Sequence, residues 1–315
     1  MAAGKNPLSP DVLFEHVQDA PYFHLPRAFA AEGADGHINL PQPLATPIEG
    51  SDHGHGPSYK PVVELNTGVA VLDKSLMPMD FVLTKFMVIE TLVLVISLVL
   101  FGWLASKIKA GGAAKGRLAN LLEVFLVFIR DEVARPAIGE KDADDYLPFL
   151  WTVFFFVLGC NLFGMIPWMG SPTGSLAVTA VLALMTFIAV VGIGISKYGF
   201  DGFLKIQVPH MDLPGPVAIL LVPMIFVIEL FGLLVKHFVL AVRLLANMMA
   251  GHIVLAVLLG FIGASYGSIV WWGVAPASVL GATALSLLEL FVAFLQAYIF
   301  VFLSALFIGA VVHPH

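Results

Sequence analysis

The sequence predicts an all-α protein that crosses a membrane about five times, its last two crossings long and strongly tilted, with one further amphipathic helix at the interface. Three observations carry that expectation. Of 315 residues, 59% are hydrophobic and 12% charged, with mean hydropathy +0.92, whereas soluble domains run about 45–50% apolar and about 25% charged. The charges are unevenly spread: residues 1–85 hold 15, residues 86–145 hold 15, and residues 146–315 hold 8. The apolar runs are also long enough to cross a hydrocarbon core of about 30 Å. A 170-residue stretch with eight charges cannot build a soluble surface, so lipid is its solvent. A net charge of −6 without a basic patch excludes a nucleic-acid partner. The single cysteine, Cys160, excludes a disulfide framework and any multi-cysteine metal site.

Residues 1–80 form a polar tail, distinct from a membrane domain over residues 81–315. The tail carries ten of the twenty prolines, five of the ten histidines, and ten acids against four Lys/Arg. No apolar run in it resembles a signal-peptide core. Asp52, His53 and His55 have metal-ligand chemistry, but HGHG in a Pro/Gly-rich tail reads more simply as solvated polar sequence.

Residues 86–106 are the first span. Lys107, Lys109, Lys115 and Arg117 follow it, with no acid before Glu123, so this end faces inside and the tail outside. Residues 117–135 carry a polar stripe of Asn120, Glu123, Arg130 and Asp131 beside apolar Leu121, Leu122, Phe125, Phe128 and Ile129. That pattern suits a helix in the interface, or packed on neighbours, better than a span. An acidic inside loop, residues 140–145, precedes two further spans at 147–169 and 174–196, joined by MGSPTG. Lys197 and Lys205 flank an inside loop over residues 197–212.

From Pro214 to about Gly263, and from about Pro276 to Val312, the helical pattern is nearly unbroken. About 45 helical residues reach about 68 Å, more than twice the hydrocarbon thickness. Each segment therefore folds into a hairpin or lies steeply tilted, and the tilted reading is preferred. The carboxyl terminus then ends inside.

Between Leu213 and His315 only Glu229, Lys236, Arg243 and Glu289 are formally charged. An ionisable residue inside a membrane helix is costly and is a functional candidate by default. Arg243 matters most, because a guanidinium stays protonated and burial cannot neutralise it. Its cost at mid-bilayer is about 2.5–3.5 kcal/mol or more. Seven of its eight nearest sequence neighbours are apolar. Glu229, Lys236 and Arg243 recur every seven residues, drifting about 20° per step, so they share a stripe that Asn247 extends. His252 points elsewhere. On the last helix Ser286, Glu289 and Gln296 share a stripe around Ala293, whose small size admits a neighbouring helix. The plain reading of Lys236 is that its ammonium snorkels to the interface, and a lone buried His or Gln is commonly an interhelical hydrogen-bond partner.

A permanent cation beside titratable groups favours the ionised form of any carboxyl that moves past it. If that carboxyl travels on another subunit, protons enter on one side and leave on the other while the cation blocks a direct leak. The residues that carry this chemistry resemble a known family. The runs FVLAVRLLANMMAGHIVLAVLLG (238–260) and LELFVAFLQAYIFVFLSALFIGAVVHPH (288–315) are similar to subunit a of F-type ATP synthases. NLFGMIPW (161–168) and PTGSLAVT (172–179) extend the resemblance over roughly residues 80–315.

The resemblance implies a proton-translocating stator subunit, not catalytic alone, which couples proton flow through two half-channels to rotation and ATP synthesis. It implies as partners the c-subunit ring, the b-subunit peripheral stalk, the remaining synthase subunits and membrane lipid, with no cofactor or metal. Arg243 would face the ring carboxylate, with Asn247 lining the path and Gln296 approaching from the last helix. Glu229 would belong to the inside half-channel, and His252 with Glu289 to the outside one. Lys236 and Ser286 would be minor contributors. Many bacterial members have an acid where this chain has His252 and a histidine where it has Glu289. One acid and one imidazole remain, so the exchange leaves a relay possible, though the two groups titrate together. A bacterial inner membrane is expected, since no transit peptide is evident.

Two other classes compete. A self-contained transporter predicts internal repeats and its own counter-carboxylate for Arg243, a part that Glu289 could take. A membrane-embedded enzyme would use the literal G-x-S-x-G at Gly263–Gly267, but that motif needs a strand–turn–helix elbow, and here it reads as a glycine-rich turn.

Overall fold

Membrane helices satisfy their backbone hydrogen bonds internally, so their packing is decided by small residues and by a few side-chain hydrogen bonds. The computed structural model describes residues 19–24, 37–42, 45–47, 59–61, 83–109, 116–166, 169–206 and 215–313. Most of the tail, including Asp52, His53 and His55, lies outside the described residues.

Four short strands, β1 (Tyr22–His24), β2 (His37–Asn39), β3 (Ala45–Pro47) and β4 (Tyr59–Pro61), pair antiparallel as β1–β2 and β3–β4. The helices follow: α1 (Lys85–Lys109), α2 (Arg117–Phe128), a π-helical turn (Ile129–Ala134), α3 (Arg135–Ile138), α4 (Ala143–Gly164), a 3₁₀ turn (Pro172–Gly174), α5 (Leu176–Ile206), α6 (Gly215–Ala264) and α7 (Trp271–Val312). Five of these, α1, α4, α5, α6 and α7, are long and apolar enough to cross a membrane.

Two boundaries differ from the sequence reading. Residues 197–206, expected in a loop, continue α5 beyond a backbone break at Gly199 (φ 72°, ψ 172°). A positive φ suits glycine, and with ψ 172° it breaks the helix there, so a second, short helical stretch follows at a new angle. The acidic segment 140–145 is a loop only to Asp142, since α4 begins at Ala143 with Asp144 and Asp145 in its first turn. Acids there complement the helix dipole. The hairpin alternative for the last third is also excluded: α6 is one helix of 50 residues and α7 one of 42. At 1.5 Å per residue they extend about 75 and 63 Å.

The amphipathic segment packs on its neighbours. Ile129, Val133, Ala134 and Ile138 are buried in the main core, and Trp151 Nε1 donates to Leu126 O at 3.1 Å. The π turn inserts extra width at 129–134 and shifts the apolar face so that this burial continues into α3. That core is built chiefly between α4 (Leu150, Phe154, Val157) and α7 (Ala297, Phe300, Ala305, Ile308). Gly309 lets α7 close directly on the α3 backbone, where an added Cβ would strike Ala137 O.

Two polar clamps mark opposite faces of the bundle. On the carboxyl-terminal face, Lys197 Nζ and Tyr198 OH donate to Val312 O at 3.1 and 2.9 Å, and Asp142 meets His313 Nε2 at 3.2 Å and Lys197 Nζ at 3.5 Å. On the tail face, Asn161 Nδ2 donates to Ala293 O at 3.2 Å, and Thr173 Oγ1 donates to Asn161 Oδ1 at 2.8 Å. Ser171 Oγ lies 2.8 Å from Thr173 Oγ1 and must be the donor, because the threonine proton is already committed. This buried seam ties α4 and the 3₁₀ turn to α7. Replacement of Asn161 by leucine is expected to lower unfolding stability in detergent by about 0.6–2 kcal/mol. Denaturant titration of the purified chain measures it, and an unchanged midpoint would argue against the bond to Ala293.

Candidate functional site

The charged and polar residues of α6 and α7 fall into two groups. The first lies along the open side of α6. Leu233, His237, Leu240, Leu244 and Met248 point into the protein and are buried. Glu229 and Lys236 lie on the other side, about half exposed, with Lys236 Nζ 3.6 Å from Glu229 Oε1. Their heptad spacing thus becomes an ion pair along one helix. An exposed pair of this kind contributes about 0–1 kcal/mol in water.

Arg243 sits two turns beyond Lys236 and is half-buried, as is Asn247. Among the described residues, no carboxylate lies within ion-pair distance of the Arg243 guanidinium and no hydrogen bond from it is found. Around this stripe Phe231, Leu234, Val235 and Phe238 of α6 and Leu287, Leu288 and Phe291 of α7 are exposed. Such a surface suits lipid or another apolar helix, not water.

The second group lies where α6 meets α7. His252 Nδ1 is 4.0 Å from Glu289 Oε1, and both side chains are largely buried. His252 Nε2 and Glu289 Oε1 are buried without a hydrogen-bond partner. The approach depends on Gly251, because a Cβ there would stand 2.6 Å from Glu289 Oε1. One turn on from Glu289, Ala293 receives the Asn161 amide, and Gln296 is buried on the same side of the helix. Ser286 turns back onto its own helix, donating to Ala282 O at 2.9 Å.

The structure therefore brings Glu229 to Lys236 and His252 to Glu289, and it leaves Arg243 apart from both carboxylates. Chemically, a buried carboxyl beside an imidazole can pass protons between them. The Arg243 guanidinium, without a carboxylate partner among the described residues, is open to a charge brought to that face.

Sequence reasoning missed several residues. In the Asn161–Thr173–Ser171 seam, Asn161 and Thr173 belong to NLFGMIPW and PTGSLAVT and Ser171 to the MGSPTG turn, segments whose polar side chains carry no role in the sequence reading. Gly251 had no signal beyond its place next to His252. His237 is also buried, its Nδ1 2.8 Å from Leu233 O and its ring against Phe187 and Phe307. Its position beside Lys236 gave no hint that it faces the opposite way. The Gly263–Gly267 match forms a turn between helices, with Ser265 Oγ donating to Phe261 O at 2.8 Å and Gly267 at φ 84°. No strand precedes it, so the nucleophile elbow is absent there.

Comparison with known proteins bears on the same segments. The family profile described as "ATP synthase A chain" matches residues 86–309. ATP synthase subunit a of Myxococcus xanthus (strain DK1622) is 45% identical over 241 residues, covering 75% of this chain and 76% of that relative. ATP synthase subunit a of Anaeromyxobacter sp. (strain Fw109-5) is 37% identical over 310 residues, covering 96% of this chain and 71% of that relative.

The geometry makes a prediction that depends on no function. Gly251→Val is expected to destabilise the chain by about 1–3 kcal/mol, through overpacking against Glu289. Gly263→Val, where nothing lies within 4 Å of an added Cβ, serves as the comparison for the loss of glycine alone. Thermal unfolding in the same detergent measures both, and equal midpoints would refute the close approach at Gly251.

Proposed function

The chain belongs to the ATP synthase A chain family, and from that premise we propose how its residues carry protons. It is the proton-translocating stator subunit of the synthase's membrane sector, a multi-pass membrane component of a larger complex and not a catalyst by itself. The assignment of residues, partners and orientation is our reading.

The observation that carries it is the unmatched guanidinium of Arg243 on an open apolar face. A self-contained transporter would supply a counter-carboxylate, and Glu289 was the candidate; Glu289 instead faces His252. The missing charge then comes from a neighbour, and the partner we propose is the ring of c subunits, whose carboxylates pass Arg243 in turn. Beside Arg243 each carboxyl is held ionised. Once past it, the carboxyl meets apolar surroundings and must take up a proton. His252 and Glu289 supply that proton from one side of the membrane, with Gln296 and Asn247 lining the approach. The stripe around Glu229 releases protons on the other side, with Lys236 setting its charge and Ser286 in a lesser role. Arg243 separates the two routes, so a proton crosses only by riding the ring. Each charge crossing a potential of 100 mV yields about 2.3 kcal/mol for rotation.

Orientation follows from charge. Lys107, Arg117, Arg130, Arg135 and Lys197 belong to the carboxyl-terminal face, and Lys107 lies over the Trp103 ring at 4.3 Å, as an interfacial pair does. We therefore read that face as the inside and the tail face as the outside of a bacterial inner membrane. The peripheral-stalk b subunit is the second partner we propose.

Arg243→Ala tests the reading. ATP-driven acidification of inverted vesicles is expected to vanish while the ring still co-purifies and the detached soluble sector still hydrolyses ATP. Pumping that survives unchanged would sink the rotary assignment.

A further inference from the structure

Glu90 has no part in the function described above, yet it is a carboxylate inside a membrane-spanning helix. It lies five residues into α1 from Lys85. Its Oε1 is shut off from solvent, with no hydrogen-bond partner among the described residues. Such a group is costly to keep in a span, and a glutamine or leucine would fit there at less expense.

Its surroundings are built, and the tail builds them. Asp19 Oδ1 accepts from Phe86 N at 3.2 Å and Ala20 N at 3.0 Å. Ala20 O accepts from Lys85 N at 2.9 Å. Gln42 bonds Leu83 twice, donating to its carbonyl at 2.7 Å and accepting from its amide at 2.8 Å. Phe23 packs against the cluster formed by Phe86, Ile89, Val93 and Cys160. The tail is thereby fastened over the end of α1. The ionisable neighbours close enough to act on Glu90 are Asp19, itself beside Lys85, and Cys160 of α4.

From this pocket a polar route leads inward. Lys85 Nζ stands 3.3 Å from where a Gly170 Cβ would lie, and Ser171, Thr173 and Asn161 then run in hydrogen-bonded sequence to Ala293 O. Ala293 is one helical turn from Glu289. Cys160, which Glu90 lies close enough to act on, is the residue before Asn161 on α4.

We propose that Glu90 is a proton-collecting carboxylate at the tail-side entrance of the path to His252 and Glu289, held in place by the docked tail. This rests on the proton-path reading above. Glu90 takes a proton from outside water and releases it toward Glu289 along water hydrogen-bonded to the hydroxyls and carbonyl of the seam. Only a proton moves, and Glu90 returns to its ionised form.

The test uses the whole synthase in liposomes at fixed membrane potential, with ATP synthesis followed against tail-side pH. Glu90→Gln is expected to lower the rate several-fold, with the loss growing as pH rises and protons become scarce, and Glu90→Asp to restore most of it. Asp19→Asn keeps the accepting oxygen and is expected to move the profile along the pH axis without lowering its plateau. Wild-type rates for Glu90→Gln at every pH would overturn the inference. So would a pH-independent loss that Glu90→Asp does not rescue, or an unmoved profile for Asp19→Asn. Arg243→Ala measured alongside separates the two readings. If it abolishes synthesis and Glu90→Gln does not, only the collecting role falls; if it too is active, the rotary path falls with it.

Discussion

A guanidinium keeps its proton at any depth of a bilayer, and that constraint organises the rest of this molecule. Arg243 cannot be neutralised, so its cost of several kcal/mol must be offset by a charge or by solvent. Among the described residues nothing offsets it. The two carboxylates of the last helices are engaged elsewhere, Glu229 with Lys236 and Glu289 beside His252. An exposed apolar face around the cation is what the proposed carboxylate of a neighbouring chain would cover. That neighbour would also explain why α6 and α7 are so long. A helix of about 75 Å, if steeply inclined beside the proposed ring, would lay an extended edge along it, where an upright one would touch it at a point.

Holding two inclined helices together in lipid needs means other than apolar burial, because lipid is as apolar as leucine. Small residues supply one means. Gly251 admits the Glu289 carboxyl, Ala293 admits α4, and Gly309 admits the backbone of α3. Polar clamps supply the other. The Asn161 seam fixes α7 near the tail face, and the Asp142, Lys197 and Tyr198 contacts fix its carboxyl end. Between these clamps the helix carries Gln296 and the core residues from Ala297 to Ile308. The same geometry that pins α7 therefore sets the height of Glu289 against His252.

Much of this was legible residue by residue. The five crossings, the unusual length of the last two helices and the apolar sequence around Arg243 follow from hydropathy and charge along the chain. The periodicity that grouped Glu229 with Lys236 also held, although an ion pair was not foreseen. Boundaries were less legible where an irregular backbone intervened. Gly199 breaks α5 and a short helical stretch follows it, and the π turn at 129–134 moves the apolar face in a way that a 3.6-residue period does not track.

The sequence by itself determined which segments lie in lipid and how few charges they carry, because both are sums over neighbouring residues. Only the tertiary structure decided which groups meet: Glu289 with His252, Asn161 with the carbonyl of Ala293, the tail's Asp19 with the first turn of α1. Those meetings depend on the rotation and height of one helix against another. In lipid these are set jointly by glycines and single hydrogen bonds on separate helices, and no local pattern in either helix records where the other will stand.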